Sequence, residues 1–455
     1  MRITARVQPR AFTRENFAVV RLVGDGATGE LAQLDVEYSK LVPLRTSNPL
    51  ALDFLLCAAS VYAIDKLILR ACATDSWTRD IALTLPVSDA DRWTSASRHL
   101  VEALSFLTGD RWDVEFVPLS SPLTRNRVRR RRWRPVPRPQ GDIACLFSGG
   151  LDSLVGVIDQ LEENRDQRLL LVGHHDGQMA GPLADQQRIL NPLRQQYPGR
   201  FDAILARVGH TSKGPEITLR GRSLLFIALG VYAASSVGPG TPLLIPENGT
   251  IALNAPLTPS RRGSCSTRTA HPYYLATVQR VLADVGLDHS FINPLELRTK
   301  GETVSLCRNL DVLRTLAPLS VSCAKRGHKS SWRNRSVPAC GRCMPCVYRR
   351  AALHSIGSDT EAYGNDICTG DVDIDARDEE GPNDLRACFS FLKRKPSADE
   401  IALSLLANGK LDIGRLPDYA DLVRRAMEEI RRLLRDKGTR EIQRRAGLLP
   451  RGPRA

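Results

Sequence analysis

The string Ser148-Gly149-Gly150-Leu151-Asp152-Ser153 stands where an apolar run, IACLF (143–147), gives way to a helical pattern, SLVGVIDQLEEN (153–164). Three chemistries compete for such a turn. A nucleophile elbow requires G-x-S-x-G, but Leu146 stands where Ser148 would need a glycine, and Val155 follows Ser153. A Walker A loop ends in Gly-Lys-Ser/Thr, and this string has no lysine. What remains is a strand–turn–helix junction whose glycines let the backbone approach an anion. Amides at the start of the helix, around Leu151–Ser153, would point at that anion with the helix dipole behind them. Ser148 and Ser153 add hydroxyl donors, and Asp152 could hold Mg²⁺ or orient a pyrophosphate. A plain tight turn with a serine N-cap is the alternative reading; the full string after an apolar strand favours phosphate.

The second constellation is CAKRGHKSSWRNRSVPACGRCMPC, in which Cys323, Cys340, Cys343 and Cys346 are spaced C-x16-C-x2-C-x2-C. Four thiolates are the ligand set of a closed structural zinc site, with no position left open for substrate. A continuous helix from 340 to 346 would separate its end cysteines by about 9 Å, at ~1.5 Å per residue. The chain must therefore turn, and Gly341 and Pro345 supply the means. His328 could replace one thiolate. The other seven of the eleven cysteines are scattered without pattern. With no apolar h-region in the first residues, this cysteine usage points to a reducing cytoplasmic setting rather than a disulfide framework.

The elements that must carry these motifs follow from periodicity. Residues 1–124 alternate strand-like segments (ARVQ, FAVVRLV, LAQLDVEY, RDIALTLPV, WDVEFVPL) with two helical ones, and read as part of an α+β accessory domain spanning 1–140. No cluster of His, Cys or paired acids there suggests chemistry. From 141 to 365, short apolar strands (IACLF, RLLLVGH, FDAILARV, PLLIPEN) alternate with helices, which implies crossovers, a parallel sheet and a doubly wound α/β fold. Residues 366–455 form an acidic, then basic and helical extension. The longest apolar stretches, FLLCAASVYAI (54–64) and LLFIALGVYAA (224–234), are too short to span a bilayer and read as buried core helices. A chain of 455 residues with net charge +14 permits an anionic partner. Eight arginines lie in RNRVRRRRWRPVPR (125–138), which reads as a basic linker and a nucleic-acid strip in reserve.

The S-G-G-L-D-S string resembles the PP-loop of the ATP pyrophosphatase superfamily, of HUP-type fold, which splits ATP between its α and β phosphates. Combined with the cysteine cluster, it resembles the QueC family of 7-cyano-7-deazaguanine synthases. PACGRCMPCVYRRAA is similar to that family's C-G-x-C-x-x-C-x-x-R-x-x-A block, including Arg349 and Ala352. HDGQ (175–178) is similar to its Y-G-Q segment, with aspartate in place of tyrosine. LRGRSLLFIALG (219–230) and NPLELRTKGETV (293–304) are similar to further family segments and bring in Arg222, Ser223 and Lys300. The resemblance covers about 142–356. Residues 1–140, the tail after 366 and the segment 246–274 depart from it. Long chains of this organisation resemble the QatC component of bacterial Qat anti-phage systems.

The resemblance implies an AMP-forming ligase that adenylates a 7-deazaguanine-type carboxylate and passes it to an amine, with a partner protein as one acceptor. It implies ATP held by Ser148–Ser153, Mg²⁺, structural zinc, and Asp152, Lys300 and Arg222 in catalytic roles. The resemblance of HDGQ adds Gln178 as a substrate candidate, and position in the loop segment 246–274 adds Glu247, Asn248 and Arg268, with Thr269 and His271 reading as loop hydrogen-bonders. Alternative readings are a tRNA- or other nucleic-acid-modifying PP-loop enzyme, a 7-cyano-7-deazaguanine synthase proper, and a nucleotide-holding module without turnover. No membrane role is expected.

Overall fold

The computed structural model describes residues 1–9, 17–24, 30–37, 48–120, 140–178, 181–211, 214–216, 218–258, 268–326, 329–370, 372 and 383–449. The basic segment 125–138, His328 and most of the acidic stretch 371–384 lie outside the described residues. The chain forms two compact units. Met1–Ser148, Asn164–Ile245 and Ser266–Asn293 make the first; Gly149–Glu163, Pro246–Cys265 and Pro294–Ala455 make the second.

The first unit is built on a ten-stranded sheet. Its strands are β1 (Arg2–Pro9), β2 (Phe17–Gly24), β3 (Glu30–Glu37), β4 (Asp80–Val87), β5 (Arg111–Pro118), β6 (Ile143–Leu146), β7 (Leu169–His175), β8 (Phe201–His210), β9 (Leu243–Leu244) and β10 (Phe291–Ile292). They lie in the order β10-β9-β6-β7-β8-β3-β2-β1-β4-β5. The pairs β1–β2, β2–β3 and β3–β8 are antiparallel and the others parallel, so the protein is α/β with a mostly parallel sheet. Burial explains the sequence patterns. In β5 buried and exposed residues alternate, as on a sheet with one covered face, whereas β6 is buried throughout and reads as a continuous apolar run. The first five strands, from the segment that reads as an accessory domain, belong to the same sheet as the second five.

The helices in chain order are α1 (Pro49–Leu67), α2 (Ala90–Thr108), α3 (Leu151–Glu163), α4 (Pro182–Gln196), α5 (Arg220–Val237), α6 (Gly249–Leu253), α7 (Pro272–Val285), α8 (Lys300–Ser305), α9 (Leu310–Leu316), α10 (Met344–Ser355), α11 (Asn383–Arg394), α12 (Ala398–Asn408), α13 (Leu416–Lys437) and α14 (Arg440–Arg445). The two apolar stretches are core helices: α1 is buried from Ala51 through Asp65 and α5 over most of its length. No described helix is long and apolar enough to cross a membrane.

In the second unit, α13 buries Tyr419, Leu422, Val423, Ala426, Met427, Ile430, Leu433 and Leu434, a helical stripe facing one core. Leu385 and Leu392 of α11, Ile401 and Leu405 of α12, and Val347 and Ala351 of α10 share that core. Each fully buried leucine or isoleucine contributes about 1.5–3 kcal/mol.

Strand order reverses beside β6. The chain runs from β6 outward through β7 and β8, then returns to place β9 and β10 on the other side. Doubly wound sheets bind ligands at such a reversal, beyond the carboxyl ends of the strands. Residues 147–153 leave the end of β6, and residues 245–248 leave the end of its neighbour β9. The strand expected over 242–248 is only Leu243–Leu244. Pro242 and Pro246 bracket it, and proline has no N–H to donate to a ladder.

Candidate nucleotide and metal site

In the second unit the turn before α3 is braced from one side. Gly149 has φ +81, and its carbonyl accepts from the N–H of Val321 at 3.1 Å. The N–H of Leu151 donates to Ser322 Oγ at 3.4 Å, and Ser153 Oγ closes the turn by donating to the Gly150 carbonyl at 3.0 Å. Ser148, at the end of the first unit, enters the turn.

Asp152, in the first turn of α3, is the centre of a polar cluster. Lys300 Nζ donates to both of its oxygens, at 2.8 and 2.9 Å, and Asn248 Nδ2 donates to Oδ2 at 2.8 Å. The side chains of Lys300 and Asp152 are 3% and 14% exposed, so the pair is shielded but open on the carboxylate side. Each partner is fixed by its own element. Lys300 opens α8 directly after Thr299, which forms a reciprocal capping box with Glu302. Asn248 caps α6 through Oδ1, which accepts from Ile251 N–H at 3.2 Å and leaves Nδ2 for Asp152. The loop beside α3 sits very close: a Cβ on Gly156 would lie 2.3 Å from Cβ of Pro246. Glu247 is partly buried next to Asn248. Burial first, and then the negative charge of Asp152, push its carboxyl up to about 7, with Lys300 opposing.

The bracing segment is tied to α10. Arg349, fully buried, donates to Ala317 O at 2.7 Å and Ser320 Oγ at 2.9 Å, reaches Ser322 Oγ at 3.5 Å, and pairs with Glu361 at 2.5 Å. The helix that carries the last cysteine, Cys346, thereby holds the strip carrying Val321 and Ser322.

Cys323, Cys340, Cys343 and Cys346 come together with all four Sγ atoms within 4.8 Å of one another, a cluster that could hold a metal ion such as zinc. The chain turns as their spacing requires: Gly341 has φ +77, and α10 starts at Met344 with Pro345 in its first turn. Backbone N–H groups of Arg342 and Cys343 donate to Cys340 Sγ at 3.4 and 3.3 Å, and that of Cys340 to Cys323 Sγ at 3.3 Å. Donors aimed at sulfur stabilise thiolate, the ligating form. Trp332, Ala339 and Tyr363 pack around the group.

The first unit contains a separate polar cluster. Arg222, in the first turn of α5, donates through Nε to His174 Nδ1 at 3.2 Å, and His174 Nε2 meets the Val208 carbonyl at 2.9 Å. These partners require the neutral imidazole, and burial, reinforced by Arg222, pushes its pKa down to about 3. Among the described residues Arg222 forms no ion pair. Nearby in sequence, Asp176 accepts from Tyr62 Oη at 2.7 Å, Lys66 Nζ at 3.1 Å and the Gln178 N–H at 2.9 Å. Gln178 itself is exposed. Arg268 donates to Phe106 O at 2.6 Å and lies over its ring, Ser223 Oγ meets Thr269 Oγ1 at 2.6 Å, and His271 packs on Phe106.

No family model matches the chain, and no curated protein matches it. The functional reading therefore rests on these side chains. Asp152, Lys300, Asn248 and Glu247 gather in the second unit, while Arg222, Gln178 and Arg268 belong to the first. Sequence reasoning did not reach Tyr62, Lys66 or the bracing Ser322. The spacing of Tyr62 and Lys66, four apart on a helix, was the only local signal, and it is shared by countless surface pairs.

Proposed function

We propose that the chain is an ATP-dependent, AMP-forming ligase of the QueC-like PP-loop type, acting on a 7-deazaguanine-type carboxylate in anti-phage defence. The observation that carries this reading is the contact of Asp152, in the first turn of α3, with Lys300 and Asn248. A nucleophile elbow would instead project a serine, and here Ser153 is turned back onto Gly150.

A free carboxylate cannot be attacked by an amine because oxide would have to leave. In the proposed reaction a carboxylate oxygen of the substrate attacks the α-phosphorus of ATP, and pyrophosphate leaves. An amine then attacks the acyl carbon, AMP leaves, and the amine gives up a proton. Gly149–Ser153 would cradle the pyrophosphate with backbone amides, and Lys300 would neutralise the charge that develops on it. Asp152 and Glu247 would hold Mg²⁺, which when bound supplies charge neutralisation at the phosphates. In the first unit, Arg222 is the proposed anion contact and Gln178 and Arg268 are candidate substrate contacts; in the second unit, Glu247 and Asn248 are the candidates. The four cysteines would hold structural zinc. The acceptor proposed is an amine of a partner protein.

The test is pyrophosphate release from ATP with 7-carboxy-7-deazaguanine as substrate, with and without co-expressed neighbouring gene products. Base-dependent release supports the reading; its absence under all of these conditions overturns it.

A further inference from the structure

The C-terminal helices lie outside every motif that points to ATP chemistry, yet α13 reaches the residues on either side of Lys300. Glu429 of α13 is 5% exposed. Its carboxylate accepts from the hydroxyl of Thr299 and from the N–H of Gly301, the latter at 3.0 Å. Among the described residues it forms no ion pair. A buried carboxylate is unfavourable unless its oxygens are satisfied, and these two donors satisfy them.

A second observation is steric. A Cβ on Gly301 would lie 2.4 Å from the Glu429 carboxyl carbon and 2.5 and 2.7 Å from its oxygens. A side chain at 301 would displace the carboxylate from this point. The same helix holds the rest of the segment. Arg425 pairs with Glu302 and donates to Leu297 O at 3.3 Å. Tyr419 Oη, with Arg415 from just before the helix, grips Glu296, each at 2.9 Å. Within this run Lys300 is the residue whose side chain turns to Asp152.

We propose that Glu429 is a positioning residue: by holding Thr299 and Gly301 it sets where Lys300 stands against Asp152, which makes the C-terminal helices part of the site. Its effect on activity rests on the ligase reading above; its effect on Lys300 does not.

Two measurements on the full-length chain separate these. In the first, surface acylation by an amine-reactive reagent is quantified lysine by lysine by peptide mass spectrometry. Glu429→Ala is expected to raise the labelling rate of Lys300 about tenfold while Lys66 and Lys329 keep theirs. Glu429→Gln, whose amide oxygen still accepts from Gly301, is expected to restore protection. In the second, pyrophosphate release by Glu429→Ala is expected to fall roughly 10- to 100-fold in kcat, as for a misplaced catalytic group, with KM for ATP nearly unchanged. If Glu429→Ala does not fold, Gly301→Ala, which pushes the carboxylate away without deleting it, takes its place with the same expected results. Unchanged Lys300 labelling in a folded variant, or Glu429→Gln behaving as alanine does, overturns the proposal. Absence of pyrophosphate release by the parent chain overturns the ligase reading alone, because the labelling result stands without it.

Discussion

Lys300 and Arg222 are both shielded cations, and they are held in opposite ways. Lys300 holds both oxygens of Asp152 in a closed pair, and its helix is capped by Thr299 immediately before it. Arg222 leans on a neutral imidazole, and among the described residues it forms no ion pair. Desolvation lowers the Arg222 guanidinium from its ordinary range, and only Tyr62 and Asp176 oppose that from nearby. The difference is one of charge already committed against charge in reserve. A cation locked to a carboxylate orders its surroundings, and an incoming anion must compete for it. A cation backed by a neutral acceptor gains most when an anion arrives.

The comparison breaks most severely if the ground under one side is removed. Cys343→Ser should abolish zinc binding, measured by metal analysis of purified protein, and destabilise the second unit by several kcal/mol, since metal affinity is folding energy. Hydrogen exchange should show the loss in α3, α8 and α10 and spare α1 and α5; uniform loss across both units would erase the distinction. Next in size, Lys300→Met leaves Asp152 shielded and unanswered. We expect about 3 kcal/mol of destabilisation in urea melts, and a value near zero would mean the pair is not closed in solution. Arg222→Met should behave inversely. Stability should stay within about 1 kcal/mol of the parent, while affinity for ATP or pyrophosphate, read by calorimetry, drops about tenfold or more. Equal affinity in the two proteins would show that no anion uses this guanidinium.

The smallest effects are those of pH. Glu247 is raised to about 7 from an ordinary 4.5, so the folded protein binds the extra proton between those values. Its contribution to stability is therefore full below the unfolded pKa and declines as pH rises toward 7. His174 is depressed to about 3, so its contribution is present above pH 6.5 and is lost as pH falls toward 3. Denaturant melts of Glu247→Gln should flatten the upper limb by about 1–2 kcal/mol or less, and an unchanged limb would place the titration elsewhere.

What could be read from the sequence divides along locality. The turn 148–153, the apolar runs of α1 and α5 and the C-x2-C-x2-C spacing each express their physics within a dozen residues, and each was legible. The antiparallel joint of β3 with β8 was not, because residues as far apart as Leu34 and His210 carry no trace of one another in their own neighbourhoods. β9 and β10 are two residues each, too short for alternation to register. The same limit explains the site. Asp152 and Lys300 stood out through motif resemblance, whereas Glu429, Ser322 and the Tyr62–Asp176 contact exist only once distant segments meet.

Gly156 carries a consequence for how this sequence can drift. With 2.3 Å between its would-be Cβ and Pro246, the identity of one position constrains the other. A chain of the same design that carries alanine or a larger residue five positions after the leucine of S-G-G-L-D-S should have lost the proline at the matching point after the next-but-two strand. The pair should thus change together or not at all. Introducing Gly156→Ala alone ought to be harmful, and adding Pro246→Gly ought to relieve it, so the two substitutions form a compensatory couple that a simple growth or melting comparison can expose.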